Sequence, residues 1–258
     1  MIMTFYGAGS KCGVTMLCQS LAECLAEEHT EKKILLLNLS GSCGTQYSST
    51  TFSYHLDDLR IKLSSKVLSV DELIGACAVS NNLYTLQGTQ SLIERRKYQP
   101  EDVKTLFELA RTTFDYVLVD GGSSVDFALN IGALLYADRN VLITSQNKGN
   151  LREYLQKNSQ VLKQLQISFS KLIINRFYIA HFLPNEQELA KQYQIEHSTV
   201  VDYSSYSLQA ENEGRTLVKM DKQYSQDVER LSKELFASPD DKKRKKKRKG
   251  IMRFWRKG

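Results

Sequence analysis

No run of apolar residues in this chain approaches the roughly 18–20 that carry a helix across a bilayer, so no membrane-spanning helix is expected. The amino terminus lacks a basic stretch followed by an apolar core, which argues against export by a signal peptide. Five cysteines (Cys12, Cys18, Cys24, Cys43 and Cys77) show no paired CxxC spacing. That excludes the usual zinc and redox patterns and leaves reduced cytosolic thiols as the expectation. His181 and His197 stand alone without metal-ligand spacing, and no chemistry is assigned to them. Acid is missing altogether from residues 242–258, which hold seven Lys and four Arg. The formal charge of +6 hides this asymmetry, because the other 241 residues carry −5. An acidic globule with a basic tail is a different object from a uniformly basic nucleic-acid binder.

What is present reads as alternating strands and helices. A length of 258 residues suits one large core, and one domain over 1–237 is expected, followed by a tail over 238–258. Residues 3–24 read as a short strand, a tight loop and a helix over 14–28, with Val14, Leu17, Leu21 and Leu25 on one stripe. Ile34–Asn38 is a continuous apolar run, as a strand buried on both faces requires. Ser69, with Glu72 three residues on, predicts a capped helix over 69–78. Leu83–Gln87 is a candidate strand, and Pro100 opens a helix that ends near Thr113. Strands are expected at 114–122, 140–144, 171–176 and 200–202, with a helix at 149–165. The fold class is therefore α/β, a mostly parallel sheet with helices on both faces.

Residues 10–17 have the layout of a phosphate-binding loop with part of its chemistry removed. Such a loop, G-x-x-x-x-G-K-[ST], surrounds phosphate with backbone amides, reaches it with Lys and holds Mg²⁺ through a hydroxyl. Here Ser10 and Thr15 replace the flanking glycines, Met16 the lysine and Leu17 the metal hydroxyl; Gly13 is kept. Downstream, the strand Tyr116-Val-Leu-Val-Asp120 ends in a carboxylate followed by Gly121-Gly122, the Walker B pattern in which the aspartate helps hold hydrated Mg²⁺.

Lys11-Cys12-Gly13-Val14, the strand ending at Asn38, the segment 114–120, Asn175-Arg176 and Ala210-x-x-x-Gly214-Arg215-Thr216-Leu217 together resemble the deviant-Walker ATPases of the MinD/ParA superfamily, over residues 1–236. The pattern of losses is most similar to the degenerate CpaE/TadZ branch found in pilus assembly. The resemblance implies that Lys11 is the signature lysine reaching across a homodimer to the partner's phosphates, and that Asn175 reads an adenine edge. It implies ATP or ADP held by Lys11, Cys12, Gly13, Val14, Thr15, Met16, Leu17, Asn175 and Arg176, with Asp120 on Mg²⁺. The carboxylates that end the second strand in the superfamily are here Asn38 and Ser40, neither of which serves as a base. Weak or absent hydrolysis is expected.

Plainer readings stand beside these. The loop is also compatible with a strand-to-helix turn that binds nothing, Asp120 with a strand-end cap, and Asn175 with a satisfied sheet end. For the tail, Lys245, Lys246, Lys247 and Arg248, with Phe254 and Trp255 at its end, suit an anionic membrane surface; nucleic acid and a solvated appendage are the alternatives. The leading expectation is a cytoplasmic, dimer-prone positioning or assembly factor for a pilus or secretion apparatus, peripheral at the inner face of the cell membrane. An ATPase completed by a partner and a partition-type DNA binder are the competing functions.

Overall fold

The computed structural model describes residues 1–42, 44, 47 and 52–236. Its strands are β1 (Ile2–Gly7), β2 (Ile34–Asn38), β3 (Ala78–Ser80), β4 (Leu83–Leu86), β5 (Tyr116–Asp120), β6 (Arg139–Thr144), β7 (Lys171–Phe177) and β8 (Ser198–Asp202). The α-helices are α1 (Val14–Glu28), α2 (Leu56–Ser64), α3 (Val70–Ala76), α4 (Pro100–Thr113), α5 (Ala128–Tyr136), α6 (Lys148–Lys157), α7 (Glu186–Tyr193), α8 (Ser207–Glu213) and α9 (Lys222–Phe236).

One eight-stranded sheet runs in the order β3-β4-β2-β5-β1-β6-β7-β8. Every pairing is parallel except that of the short edge strand β3 with β4. Parallel strands need crossover helices, and those helices cover both faces, so the central strands are apolar throughout. Along β1 the side chains alternate: Met3 and Phe5 join the core under α1 and α9, whereas Ile2 packs towards α2–α5 and Tyr6 towards α6 and α7. Because all the long strands point one way, their carboxyl ends and the loops that leave them share one side of the molecule.

The expected α/β fold is the observed one. The helix expected over 69–78 is α3, with the Ser69–Glu72 capping box formed in both directions. One expectation needs correction. The helix at 149–165 stops as α-helix at Lys157 and continues through a π-turn at Asn158–Leu162. The expected stripe of α1, Val14, Leu17, Leu21 and Leu25, lies in the core, and Gln19 and Ser20 are buried along with it. Ser20 is covered by α9, whose side chains Tyr224, Val228, Leu231 and Leu235 pack with α1, Tyr224 Oη reaching Ser20 Oγ at 3.5 Å, while Gln19 donates from Nε2 to Tyr47 O (2.9 Å). The tail residues Lys245, Lys246, Lys247, Arg248, Phe254 and Trp255 lie outside the described residues, as does Cys43.

Candidate nucleotide-binding site

β1 ends at Gly7, and the chain turns over the top of the sheet before α1 starts at Val14. The start of the turn is fixed by Gly7 N–H donating to Gly122 O (2.7 Å) and Ala8 N–H to Ile143 O (2.8 Å). Lys11 and Gly13 both take positive φ (59° and 81°). No side chain caps α1, so the first-turn amides and the positive end of the helix dipole remain for an anion.

The far side of the loop is braced by the end of β7. Buried Asn175 donates from Nδ2 to Cys12 O (2.9 Å), and Arg176 from Nη1 to Lys11 O (3.3 Å). The structure thus gathers Lys11, Cys12, Gly13, Asn175 and Arg176. It also commits the Asn175 amide nitrogen to the loop, leaving its carbonyl oxygen for any base edge. Gly13 is required here, since a Cβ would lie 2.4 Å from Asn175 Nδ2 on a backbone that already favours glycine. Gly13→Ala should therefore cost about 2–4 kcal/mol, from left-handed strain plus the displaced Asn175 contact. Urea denaturation would read this as a fall in midpoint with unchanged slope.

Met16 and Leu17 face away from phosphate chemistry. Met16 Sδ accepts from Leu217 N–H (3.3 Å) and Ser20 Oγ (3.7 Å), while Leu17 is fully buried in the core under α1. Beside them lies a cavity of about 230 Å³ lined by Met16, Asn175, Arg176, Asp202, Ser207 and Leu217, among others.

Asp120 is buried at the end of β5. Its Oδ2 accepts from Thr15 Oγ1 (2.6 Å) and, at 3.5 Å, from Asn38 Nδ2; its Oδ1 accepts from Gly122 N–H (2.9 Å). Burial pushes the carboxyl above its ordinary pKa, while the Thr15 and Gly122 hydrogen bonds pull the other way. The Thr15 side chain therefore serves Asp120, and only its backbone is left for a ligand. Asn38 in turn spends its Oδ1 on Ser40, accepting from N–H (3.0 Å) and Oγ (2.8 Å). Among the described residues no group of three or more His, Cys, Asp or Glu could hold a metal. Mg²⁺ is ordinarily held by one or two carboxylates together with phosphate oxygens and water. The site offers one carboxylate, already hydrogen-bonded, and no hydroxyl at Leu17, so it fits an anion better than a metal.

Asp120→Asn and Asp120→Ala should separate charge from hydrogen bonding. The alanine leaves Thr15 Oγ1 and Gly122 N–H without their acceptor, at about 2–4 kcal/mol. The asparagine keeps an acceptor and should cost no more than about 1 kcal/mol at pH 7. The raised folded pKa sets the sign: wild-type stability is lost as pH rises from the unfolded value through the folded one. Asp120→Asn removes that segment of the pH–stability curve, which thermal melts from pH 3 upward would show.

Two residues here escape motif reading. Lys157 of α6 donates to Ser123 O and to Ala8 O (3.4 Å), and pairs with Glu153 at 2.6 Å. It ties the loop after β1 to the loop after β5. Their only sequence signal is the i, i+4 acid–base spacing, which many exposed helices share. Burial pushes up the thiols of Cys12, Cys18, Cys24 and Cys77, in keeping with packing rather than redox roles.

No family model matches the sequence, and no curated protein is similar enough to match. Solved structures do match. A ParA family ATPase from Chlorobium tepidum TLS is 21% identical at TM-score 0.76, over 90% of this chain and 96% of that one. The septum site-determining protein MinD from Pyrococcus horikoshii OT3, complexed with Mg-ADP, is 18% identical at TM-score 0.73, over 92% and 96%. The MinC:MinD cell division protein complex of Aquifex aeolicus is 16% identical at TM-score 0.72, over 92% and 96%. Likeness at these identities speaks to architecture, and the architecture of this chain is that of the MinD/ParA ATPases, nearly end to end.

Proposed function

We propose that this chain is a catalytically impaired nucleotide-binding protein of MinD/ParA type, closest in kind to the CpaE/TadZ branch, acting as a positioning or assembly factor for a pilus or secretion apparatus. One observation carries the reading. The positions of the loop lysine and the metal hydroxyl are occupied by Met16 and Leu17, both turned into the core, while the loop backbone and its brace from Asn175 and Arg176 are intact. The frame that binds is kept and the groups that hydrolyse are absent. Phosphoryl transfer depends mainly on positioning and on neutralising charge, and the loss of one such group costs about 10²–10³ in rate.

On this reading ATP or ADP, with or without Mg²⁺, is a ligand that stabilises a homodimer. The P. horikoshii MinD with Mg-ADP and the A. aeolicus MinD with MinC lend support, because the same fold carries nucleotide and partner there. The chain divides into a unit over 1–237 and a tail over 238–258 that meets the inner face of the cell membrane. No helix among the described residues is long and apolar enough to cross a membrane.

A calorimetric titration with ATP, repeated without Mg²⁺, together with steady-state phosphate release, tests this. Expected are measurable binding that survives removal of Mg²⁺ and release indistinguishable from background. Release comparable to that of intact ATPases, about 1 s⁻¹ or more, would favour the active enzyme; no heat with ATP, with or without Mg²⁺, would leave the loop as a turn that binds nothing.

A further inference from the structure

Helix α1 flanks β2 and β5, and beside it the half-buried Leu83 and Thr85 of β4 line a second cavity, of about 920 Å³. Small organic ligands occupy cavities of about 300–1,000 Å³. Of the residues lining this cavity and the one beside the loop, Tyr47 alone is shared. Leu36, Leu83 and Ala78 give the sheet side an apolar wall, and α1 contributes Gln19, Glu23 and Glu27, one turn apart on a single face.

The polar groups on these walls are unspent in one sense. Gln19 is only 5% exposed; its Nε2 donates to Tyr47 O (2.9 Å), and its Oε1 has no donor. Turning the amide over would set two carbonyl oxygens against each other, so the bond to Tyr47 fixes which atom is left over. A buried acceptor without a donor is costly to keep. Asn82 is committed in the same way, because Nδ2 donates to Ala26 O (3.2 Å), His29 O (2.8 Å) and Lys32 O (2.9 Å), which leaves Oδ1 to accept. The cations on the wall are already engaged, Lys219 with Glu23 (3.1 Å) and Arg215 with Glu213 (3.7 Å). Glu27 is exposed and makes no ion pair among the described residues. Two amide oxygens and one carboxylate therefore remain for a ligand.

We propose that this cavity binds a linear aliphatic polyamine. An ammonium group supplies three donors and no acceptor, which is what these groups need. Gln19 and Glu27 are eight residues apart on α1, about 12 Å at 1.5 Å per residue. One ammonium meets Glu27 and Asn82 Oδ1, which share an end of the cavity because Asn82 is bonded to Ala26 O. The methylenes cover Leu36 and Leu83, and a second ammonium donates to Gln19 Oε1. Glu23 stands one turn from each end and offsets the charge between them. A single metal ion cannot serve acceptors this far apart, and a polyanion would face Glu27 and two amide oxygens.

Calorimetric titration of the full chain with 1,8-diaminooctane, whose nitrogens stand about 11 Å apart when extended, tests the proposal. One site with Kd on the order of 10–100 µM is expected. The shorter 1,3-diaminopropane carries the same charge but cannot reach both ends, and should bind at least about tenfold more weakly. Glu27→Gln should weaken the longer diamine about tenfold, with an unchanged circular dichroism spectrum because the side chain is exposed. Gln19→Met should do the same by removing the buried acceptor; should it disturb the fold, Glu27→Gln decides alone. Glu31→Gln, an exposed acid off the cavity, should bind like the wild type. No heat up to about 1 mM would overturn the proposal, as would equal affinity for the two diamines. An equal loss in Glu31→Gln would also overturn it, since the attraction would then be that of a diffuse acidic surface.

Discussion

Removal of residues 238–258 should lower the partition of this protein onto anionic vesicles by at least about a thousandfold, the largest effect any deletion should produce. Each Lys or Arg held near an anionic leaflet contributes about 1 kcal/mol. The deleted stretch contains seven Lys and four Arg, all within 242–258 and with no acid among them, against Asp240 and Asp241 at its start. Engagement of fewer than half of them gives about 4–5 kcal/mol, and each 1.4 kcal/mol is about tenfold in affinity. Replacing Lys245, Lys246, Lys247 and Arg248 together with Gln in the full chain should reproduce most of that loss. Phe254→Ser/Trp255→Ser should leave a weaker binding more easily removed by salt, because the apolar insertion is unscreened and the electrostatic part falls off over a Debye length of about 8–10 Å. Vesicle sedimentation at two salt concentrations reads all three. The same truncation with duplex DNA decides the competing function: a steep salt dependence that vanishes with the tail, alongside vesicle binding that does not change, would place the tail on nucleic acid.

The strands that build the floor of the site were legible because parallel strands buried on both faces must be apolar without interruption. Ile34–Asn38 and the run ending at Asp120 are strands β2 and β5 at or near the expected bounds. The loop and its helix were legible for a similar reason, since glycine at a positive φ and an apolar run at helical spacing are local signals. What escaped depends on contacts between residues far apart in sequence. Thr15 meets Asp120 across 105 positions, and nothing at either position announces that a hydroxyl will take up the carboxylate. The layer that α9 lays over α1 was accessible in principle, because Tyr224, Val228, Leu231 and Leu235 recur at helical spacing. Its consequence, that Ser20 is enclosed beneath Tyr224, needs the packed structure. Lys157 joins two loops that sequence places over a hundred residues apart, and only the sheet order brings them together.

Restoring the loop residues alone should fail to restore hydrolysis. Met16→Lys/Leu17→Thr rebuilds the Lys-Thr pair of an active loop, yet phosphate release should stay within about tenfold of the wild type. Each absent catalytic group is worth about 10²–10³, and the double variant leaves Asn38 and Ser40 without carboxylates and Asp120 still bonded to Thr15. The substitution also carries a cost in the core. Leu17 is fully buried, and threonine there loses apolar volume and introduces a hydroxyl needing a partner; Met16 gives up its packing and its contact to Leu217 N–H. Together these should lower stability by about 3–6 kcal/mol. ATP affinity should move the other way, tightening about tenfold as an ammonium enters the cavity beside the loop. Turnover should emerge only when Thr15→Gly, Asn38→Asp and Ser40→Asp are added, freeing Asp120 and returning the two carboxylates. Paired measurements of thermal melting, ATP binding and phosphate release across this series place the result. If Met16→Lys alone raised release a hundredfold, the site would lack only one charge, and a partner supplying a cation would suffice to make the wild type an enzyme. If release stays flat until the carboxylates return, the losses reinforce one another, and the loop that opens this chain is held in the core as a binding element.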